Sequence, residues 1–343
     1  MASEPPVPLI FIHGIKGATL NDANGREVWL SRWQALGLSS PDLALPLAWN
    51  GDSQASDSLA PGEILSWIPI IPFYRAAVYG PWLDAARGLG RPFFPFAYDW
   101  RRDNRETAAR FESFLEQVRR STGAARVEVV AHSMGGLITL SVLNRRPELF
   151  HSVVFAGVPF DGGIGFLPDL QKGTANGLNK KILSPSVLAT FPSVYSLFPN
   201  HGGNLLGADG GPVSVDFYHA EDWKRLRLGP YSRNRKPSAD FEVYFDRALA
   251  AALRFRESLK PAAVSYPPIG VVCGNHFPTI RNAVEKGNEW SFPASQTSPG
   301  DGRVPEQTCL PPAPLAYKLF ESKAEHSDLL NDPAVIDWIR AFP

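Results

Sequence analysis

The stretch Val127-Glu128-Val129-Val130-Ala131-His132-Ser133-Met134-Gly135-Gly136-Leu137-Ile138-Thr139-Leu140 decides the fold. Residues 127–131 form a short, β-branched apolar run, the pattern of a strand buried on both faces. Residues 134–144 continue as a helix immediately behind it. Between them sits a serine among small residues. A sharp turn there lifts the serine hydroxyl above the sheet edge, and small neighbours let the strand and helix backbones come close. The start of the helix then turns free N–H groups and its positive dipole end toward any charge developing at the serine. Ala131 stands where this turn commonly has a first glycine, one small residue for another.

Working outward, residues 8–12 (Pro-Leu-Ile-Phe-Ile) read as a buried strand that stops at His13-Gly14, and residues 93–98 read as a second, aromatic-rich strand. Asp103, with Glu106 three positions on, resembles a reciprocal capping start. Phe111, Phe114, Leu115 and Val118 then recur at helical spacing until Gly123. Residues 152–158 are another strand. Strand and helix thus alternate, as in a mostly parallel sheet covered by helices on both faces. The rhythm breaks over 162–262, which is rich in Gly, Pro, Asn and aromatics and shows one clear helix at 241–259. Strands return at 269–273 and 317–321, and Asp332-Pro333 opens a last helix through Ile339. The expected organisation is a core in two parts, 1–161 and 263–343, with an inserted cap at 162–262 and a candidate lid within 51–80.

A nucleophilic serine needs a base and an orienting carboxylate. In the α/β-hydrolase fold, which this element order predicts, these follow the serine as acid and then histidine. His326, after the last strand and before the last helix, is the expected base. The acid is Asp301 in the turn Pro299-Gly300-Asp301-Gly302-Arg303-Val304-Pro305, with Asp161 as its rival. Backbone N–H groups of Ile15, in the loop His13-Gly14-Ile15-Lys16-Gly17, and of Met134 are the expected oxyanion donors.

The 34 basic and 34 acidic residues cancel, and no Lys/Arg run marks a nucleic-acid partner. The N-terminus lacks a signal-peptide pattern, so a cytoplasmic protein is expected unless a leader has been removed. No apolar run approaches the roughly 20 residues of a membrane span. The two cysteines have no zinc spacing. The chemistry asks for neither metal nor organic cofactor, because nucleophile, base and donors all come from the chain.

Taken in order, residues 95–101 (Pro-Phe-Ala-Tyr-Asp-Trp-Arg), 131–136 (Ala-His-Ser-Met-Gly-Gly), 157–160 (Gly-Val-Pro-Phe), 274–279, 300–304 (Gly-Asp-Gly-Arg-Val) and His326 resemble the lecithin:cholesterol acyltransferase family, which includes lysosomal phospholipase A2 and bacterial lipase-like members. The resemblance implies a Ser133–Asp301–His326 triad with donors at Ile15 and Met134. His13 departs from a proline common at that place in the animal enzymes. Related animal enzymes carry a disulfide in roughly the region of Cys273 and Cys309, so these two sulfurs are expected to lie within bonding reach. Asp99 and Arg101 read best as an ion pair ordering the loop beyond a strand. The proline-stiffened apolar stretch 64–74 is either a lid and acyl-chain wall or core beneath the cap. Lys16, Trp67, Ile68, Ile70, Phe73, His276 and Phe277 are the candidate substrate contacts.

The expected activity is cleavage of a lipid-like carboxylic ester, an acylglycerol or phospholipid, through an acyl-enzyme on Ser133, with a transient lipid interface as a further candidate partner. Transfer of the acyl group to an alcohol is the alternative. A catalytically silent binding module is the competing class.

Overall fold

The computed structural model describes residues 5–71 and 74–343. Six strands form the central sheet: β1 (Leu9–Ile12), β2 (Phe93–Phe96), β3 (Val127–His132), β4 (Phe150–Ala156), β5 (Ile269–Gly274) and β6 (Lys318–Ser322). They lie in the spatial order β2-β1-β3-β4-β5-β6, every neighbouring pair parallel.

Successive strand side chains point to opposite faces, which explains the unbroken apolar runs in the sequence. Ile10, Ile12, Val129, Ala131, Val153 and Phe155 join one apolar cluster. Leu9, Phe11, Val130, Val154 and Val272 join the other. The second face is covered by α1 (Gly80–Arg87) through Trp82 and Leu83, and by a C-terminal helix (Pro333–Ala341) through Val335 and Ile339. On the first face lie α2 (Asn104–Thr122), through Phe111 and Leu115, and α3 (Met134–Arg145), through Leu137.

Asp103 caps α2 by accepting the Arg105 N–H at 2.9 Å, and Gly123, with φ 72°, ends it. The reciprocal bond expected from Glu106 goes elsewhere. Its carboxylate accepts from the Arg102 guanidinium at 3.0 Å and from the Gln54 N–H at 3.2 Å, because a nearby cation is the stronger partner.

Residues 162–262 fall between β4 and β5. The expected long helix is α4 (Ala239–Glu257), and four short ones precede it: Leu167–Lys172, Pro185–Leu188, Pro192–Tyr195 and Ala220–Arg225. Helices of one or two turns repeat the 3.6-residue period too few times to be legible in sequence. Their Leu170, Leu188, Tyr195 and Trp223 pack into the same cluster as the first sheet face. The proline-stiffened apolar stretch forms an antiparallel hairpin, Trp67–Ile71 against Tyr74–Ala77. Among the described residues, no helix is long and apolar enough to cross a membrane.

A buried ion pair anchors the loop after β2. Arg101 is fully buried. It donates to Asp99 at 2.9 and 2.7 Å, to Asp57 at 2.7 Å and to the Leu43 carbonyl at 3.0 Å. On either side, the Tyr98 hydroxyl donates to the His13 carbonyl at 2.9 Å and the Trp100 indole N–H to the Ala18 carbonyl at 3.1 Å. The pair therefore fixes the loop that follows β1. Removing one partner strands a buried charge, which typically costs about 3–5 kcal/mol. Asp99→Ala is expected to lose stability on that scale in urea unfolding. A loss below about 1 kcal/mol would mean that Asp57 alone holds Arg101.

Candidate active site

Ser133 follows β3 and opens α3 with φ 54° and ψ −127°, a conformation that non-glycine residues rarely adopt. Holding it costs about 1–3 kcal/mol, supplied by packing around it. Its neighbours show why small residues are needed. A Cβ on Gly14 would stand 2.7 Å from the Ser133 Cβ, one on Gly135 would strike the His13 carbonyl, and one on Gly136 would strike the Val158 side chain.

The Ser133 Oγ lies 3.0 Å from His326 Nε2, and His326 Nδ1 lies 2.7 Å from Asp301 Oδ2. Asp301 is buried, and its other oxygen accepts the Arg303 and Val304 N–H groups at 2.9 and 2.7 Å. Burial alone would raise this carboxyl, but His326 and those two N–H groups outweigh it and hold it below the ordinary carboxylate value. The turn is fixed on every side. The His326 N–H donates to the Asp301 carbonyl at 2.9 Å, and the Gly302 N–H donates to Thr279 Oγ1 at 2.8 Å. Cys273 and Cys309 form a disulfide across the region, with Cα atoms 6.0 Å apart. The alternative acid, Asp161, instead lies 2.9 Å from His201, with both side chains about half exposed.

A second polar chain runs beside the first. The Gly14 N–H donates to the Tyr79 hydroxyl at 3.1 Å, which leaves the hydroxyl proton for His132 Nδ1 at 2.8 Å. His132 therefore carries its proton on Nε2 and donates it to the His326 carbonyl at 2.9 Å. Burial lowers the His132 pKa to about 3, so the ring is neutral. These bonds tie the loop after β1, the serine turn and the histidine loop to one another. Sequence reasoning had no signal for Tyr79, which lies 53 residues from its partner.

Met134 is the first residue of α3, so its N–H has no intrahelical acceptor. Ile15 sits one residue past Gly14 in the loop that abuts the serine, and both Ile15 and Ser133 line one cavity of about 250 Å³. From the candidate substrate contacts, the cavity wall takes Lys16 and Ile68. Trp67, His276 and Phe277 are not on it. The Trp67 ring packs on the backbone at Gly80. His276 is exposed and edge-on to Phe277, whose strand abuts the Asp301 turn from outside. Phe73 and the side chain of Ile70 lie outside the described residues. The wall also contains Phe166 and Arg303, neither anticipated, although Arg303 lies within the turn already singled out for Asp301.

Among the described residues, no cluster of three or more His, Cys, Asp or Glu could hold a metal ion. The parallel sheet, the strained serine turn after β3 and the histidine after β6 give this chain the α/β-hydrolase fold. Residues 89–257, just under half of the chain, match the family model described as Lecithin:cholesterol acyltransferase. Uncharacterized protein YJR098C of Saccharomyces cerevisiae is 21% identical over 94% of this chain and 59% of its own length. A triacylglycerol lipase of Pseudarthrobacter phenanthrenivorans is 32% identical over 27% of this chain and 28% of its own. The chain thus spans less than two thirds of these curated relatives. The solved structure of the Tle4–Tli4 complex shares the fold, with TM-score 0.63 and 15% identity over 99% of this chain and 98% of that one.

Tyr79→Phe deletes one hydroxyl and leaves both the His132 Nδ1 and the Gly14 N–H without a partner. Leaving such buried groups unsatisfied costs about 1–3 kcal/mol, and calorimetry should register a loss of that size. An unchanged melting temperature would show that water takes over both bonds.

Proposed function

We propose that this chain is a serine esterase of lipase type, cleaving a carboxylic ester with an apolar acyl chain through an acyl-enzyme on Ser133. The observation that carries it is the unbroken hydrogen-bonded line from Ser133 Oγ through His326 to Asp301, opening on a cavity with mainly apolar walls. The family match and the lipase relative support the same class. Residues 162–262 are read as the cap over that cavity.

In this mechanism His326 Nε2 takes the Ser133 proton as Oγ bonds to the ester carbonyl carbon. Asp301 keeps the other ring proton on Nδ1 and stabilises the imidazolium that forms. The N–H groups of Ile15 and Met134 hold the tetrahedral oxyanion. His326 then protonates the departing alcohol. Water, losing a proton to His326, attacks the acyl-enzyme and releases the acid, and Ser133 regains its proton. An alcohol entering in place of water gives transfer instead of hydrolysis.

Chromogenic esters of increasing chain length test this, with products analysed in the presence and absence of an added alcohol. Ser133→Ala should abolish cleavage and fluorophosphonate labelling without lowering the melting temperature. Near-wild-type turnover in that variant would remove Ser133 from the mechanism. Asp301→Asn presents an N–H to His326 and selects the wrong tautomer. By analogy with serine proteases it should lower kcat on the order of 10³- to 10⁴-fold. Asp161→Asn should lose less than about tenfold, or roughly 1.4 kcal/mol of barrier. A reversed order of the two would transfer the acid role to Asp161.

A further inference from the structure

Lys16 is an unusual residue for its place. Its φ of 66° puts it in the left-handed region, where glycine or asparagine is the ordinary choice. Yet it keeps a long cationic side chain and presents it on the cavity that contains Ser133. Among the described residues its ammonium makes no ion pair within 4.0 Å, and it lies over the Phe166 ring, 5.9 Å from the centroid. Arg303 lines the same cavity and approaches the same ring, with its guanidinium carbon 6.0 Å from the centroid. The nearby acid, Asp169, is already bound to Arg303 at 2.6 Å. Among the described residues the cavity wall therefore holds two cations and no carboxylate.

Lys16 is half-buried, and withdrawing a cation from water is costly unless an anion or hydrogen-bond acceptor compensates it. Burial lowers the Lys16 pKa to about 8 despite the opposing attraction of Asp169, the behaviour of an ammonium with too little negative charge near it. A ligand bringing one negative group into the cavity would supply the missing charge.

We propose that Lys16 and Arg303 form an anion-binding subsite beside Ser133, which selects esters carrying a phosphate or carboxylate group over neutral ones. The proposal deepens the esterase reading and rests on it for the identity of the reacting bond. The subsite itself is tested by binding alone.

The experiment is calorimetric titration of the Ser133→Ala protein with octyl phosphate, octyl hydrogen succinate and octanol, which share an apolar chain and differ in charge. The anions should bind on the order of tenfold more tightly than octanol, the scale of a charge-assisted hydrogen bond. The tighter of the two identifies phosphate or carboxylate as the preferred group. Adding Lys16→Gln should erase the preference, and Lys16→Arg should restore most of it. Arg303→Gln, away from the strained loop, should reduce it as well and carries the test if Lys16→Gln fails to fold. Equal binding of all three ligands would overturn the proposal. So would a preference that survives Lys16→Gln, since it would then belong to the backbone N–H donors. Inorganic phosphate binding as tightly as octyl phosphate would make the ligand a free ion and overturn the substrate role. Ester cleavage plays no part in this readout. An inactive enzyme that shows the preference and loses it in Lys16→Gln would refute esterase activity and leave the subsite standing.

Discussion

The backbone at Ser133 is the constraint on which the rest of the molecule depends. A non-glycine residue at φ 54° and ψ −127° is stable only where its surroundings permit no alternative. β3 fixes it from one side by parallel pairing with both β1 and β4. α3 fixes it from the other side, at distances that Gly135 and Gly136 alone allow. The hydroxyl consequently stands at the carboxyl edge of the sheet, where open parallel sheets collect their functional loops. Gly157, just past β4, belongs to the same arrangement. With φ 59°, it passes so close to the pair that an added Cβ would stand 3.1 Å from both Asp301 Oδ2 and His326 Nδ1.

Electrostatics divides the three histidines of this region into two kinds. His13 and His132 are buried and neutral, with pKa values lowered by desolvation to about 4 and about 3. His13 stacks on Tyr98 with ring centres 4.2 Å apart, gives its Nδ1 proton to the Gly14 carbonyl at 2.6 Å and accepts the Tyr98 N–H on Nε2 at 3.2 Å. Both rings act as fixed donor–acceptor struts. His326 alone contacts both a carboxylate and a hydroxyl, the arrangement in which a ring can exchange a proton. Neutral histidines around it add no competing positive charge to the field of Asp301.

The fold was legible because its strands are short, apolar and followed directly by helices. Parallel strands buried on both faces leave this mark in any sequence. Ser133 and His326 stood out by their order along the chain, whereas order left Asp301 and Asp161 as alternatives and the Gly-flanked turn favoured Asp301. The structure brings Ser133, His326 and Asp301 into one hydrogen-bonded line and leaves Asp161 on His201. What stayed hidden depends on distance through space. Tyr79 carries no motif, and its role exists only because α1 packs beneath the loop after β1. The cavity contacts proposed from composition fared unevenly. Trp67 and Phe277 are apolar, yet neither lines the cavity: the Trp67 ring packs on the backbone at Gly80, and Phe277 lies on a strand beside the Asp301 turn. Lys16 was singled out as a candidate substrate contact, but its lack of a close counter-charge required the position of Asp169 relative to Arg303. The short helices within 162–262 were lost to brevity, whereas α4 has turns enough to show its period.

The span between Ser133 and His326 has a consequence for how the protein is made. Their hydrogen bond joins residues 193 positions apart, and β6 and the C-terminal helix flank the histidine loop near the end of the chain. A ribosome adds roughly 5–20 residues per second, so the serine turn emerges about 10–40 seconds before its partner. Throughout that interval the strained backbone has no histidine against it and the sheet lacks its last strand. The arrangement of Ser133 with His326 is thus completed only after the histidine loop has emerged, and until then the serine is a hydroxyl without a base.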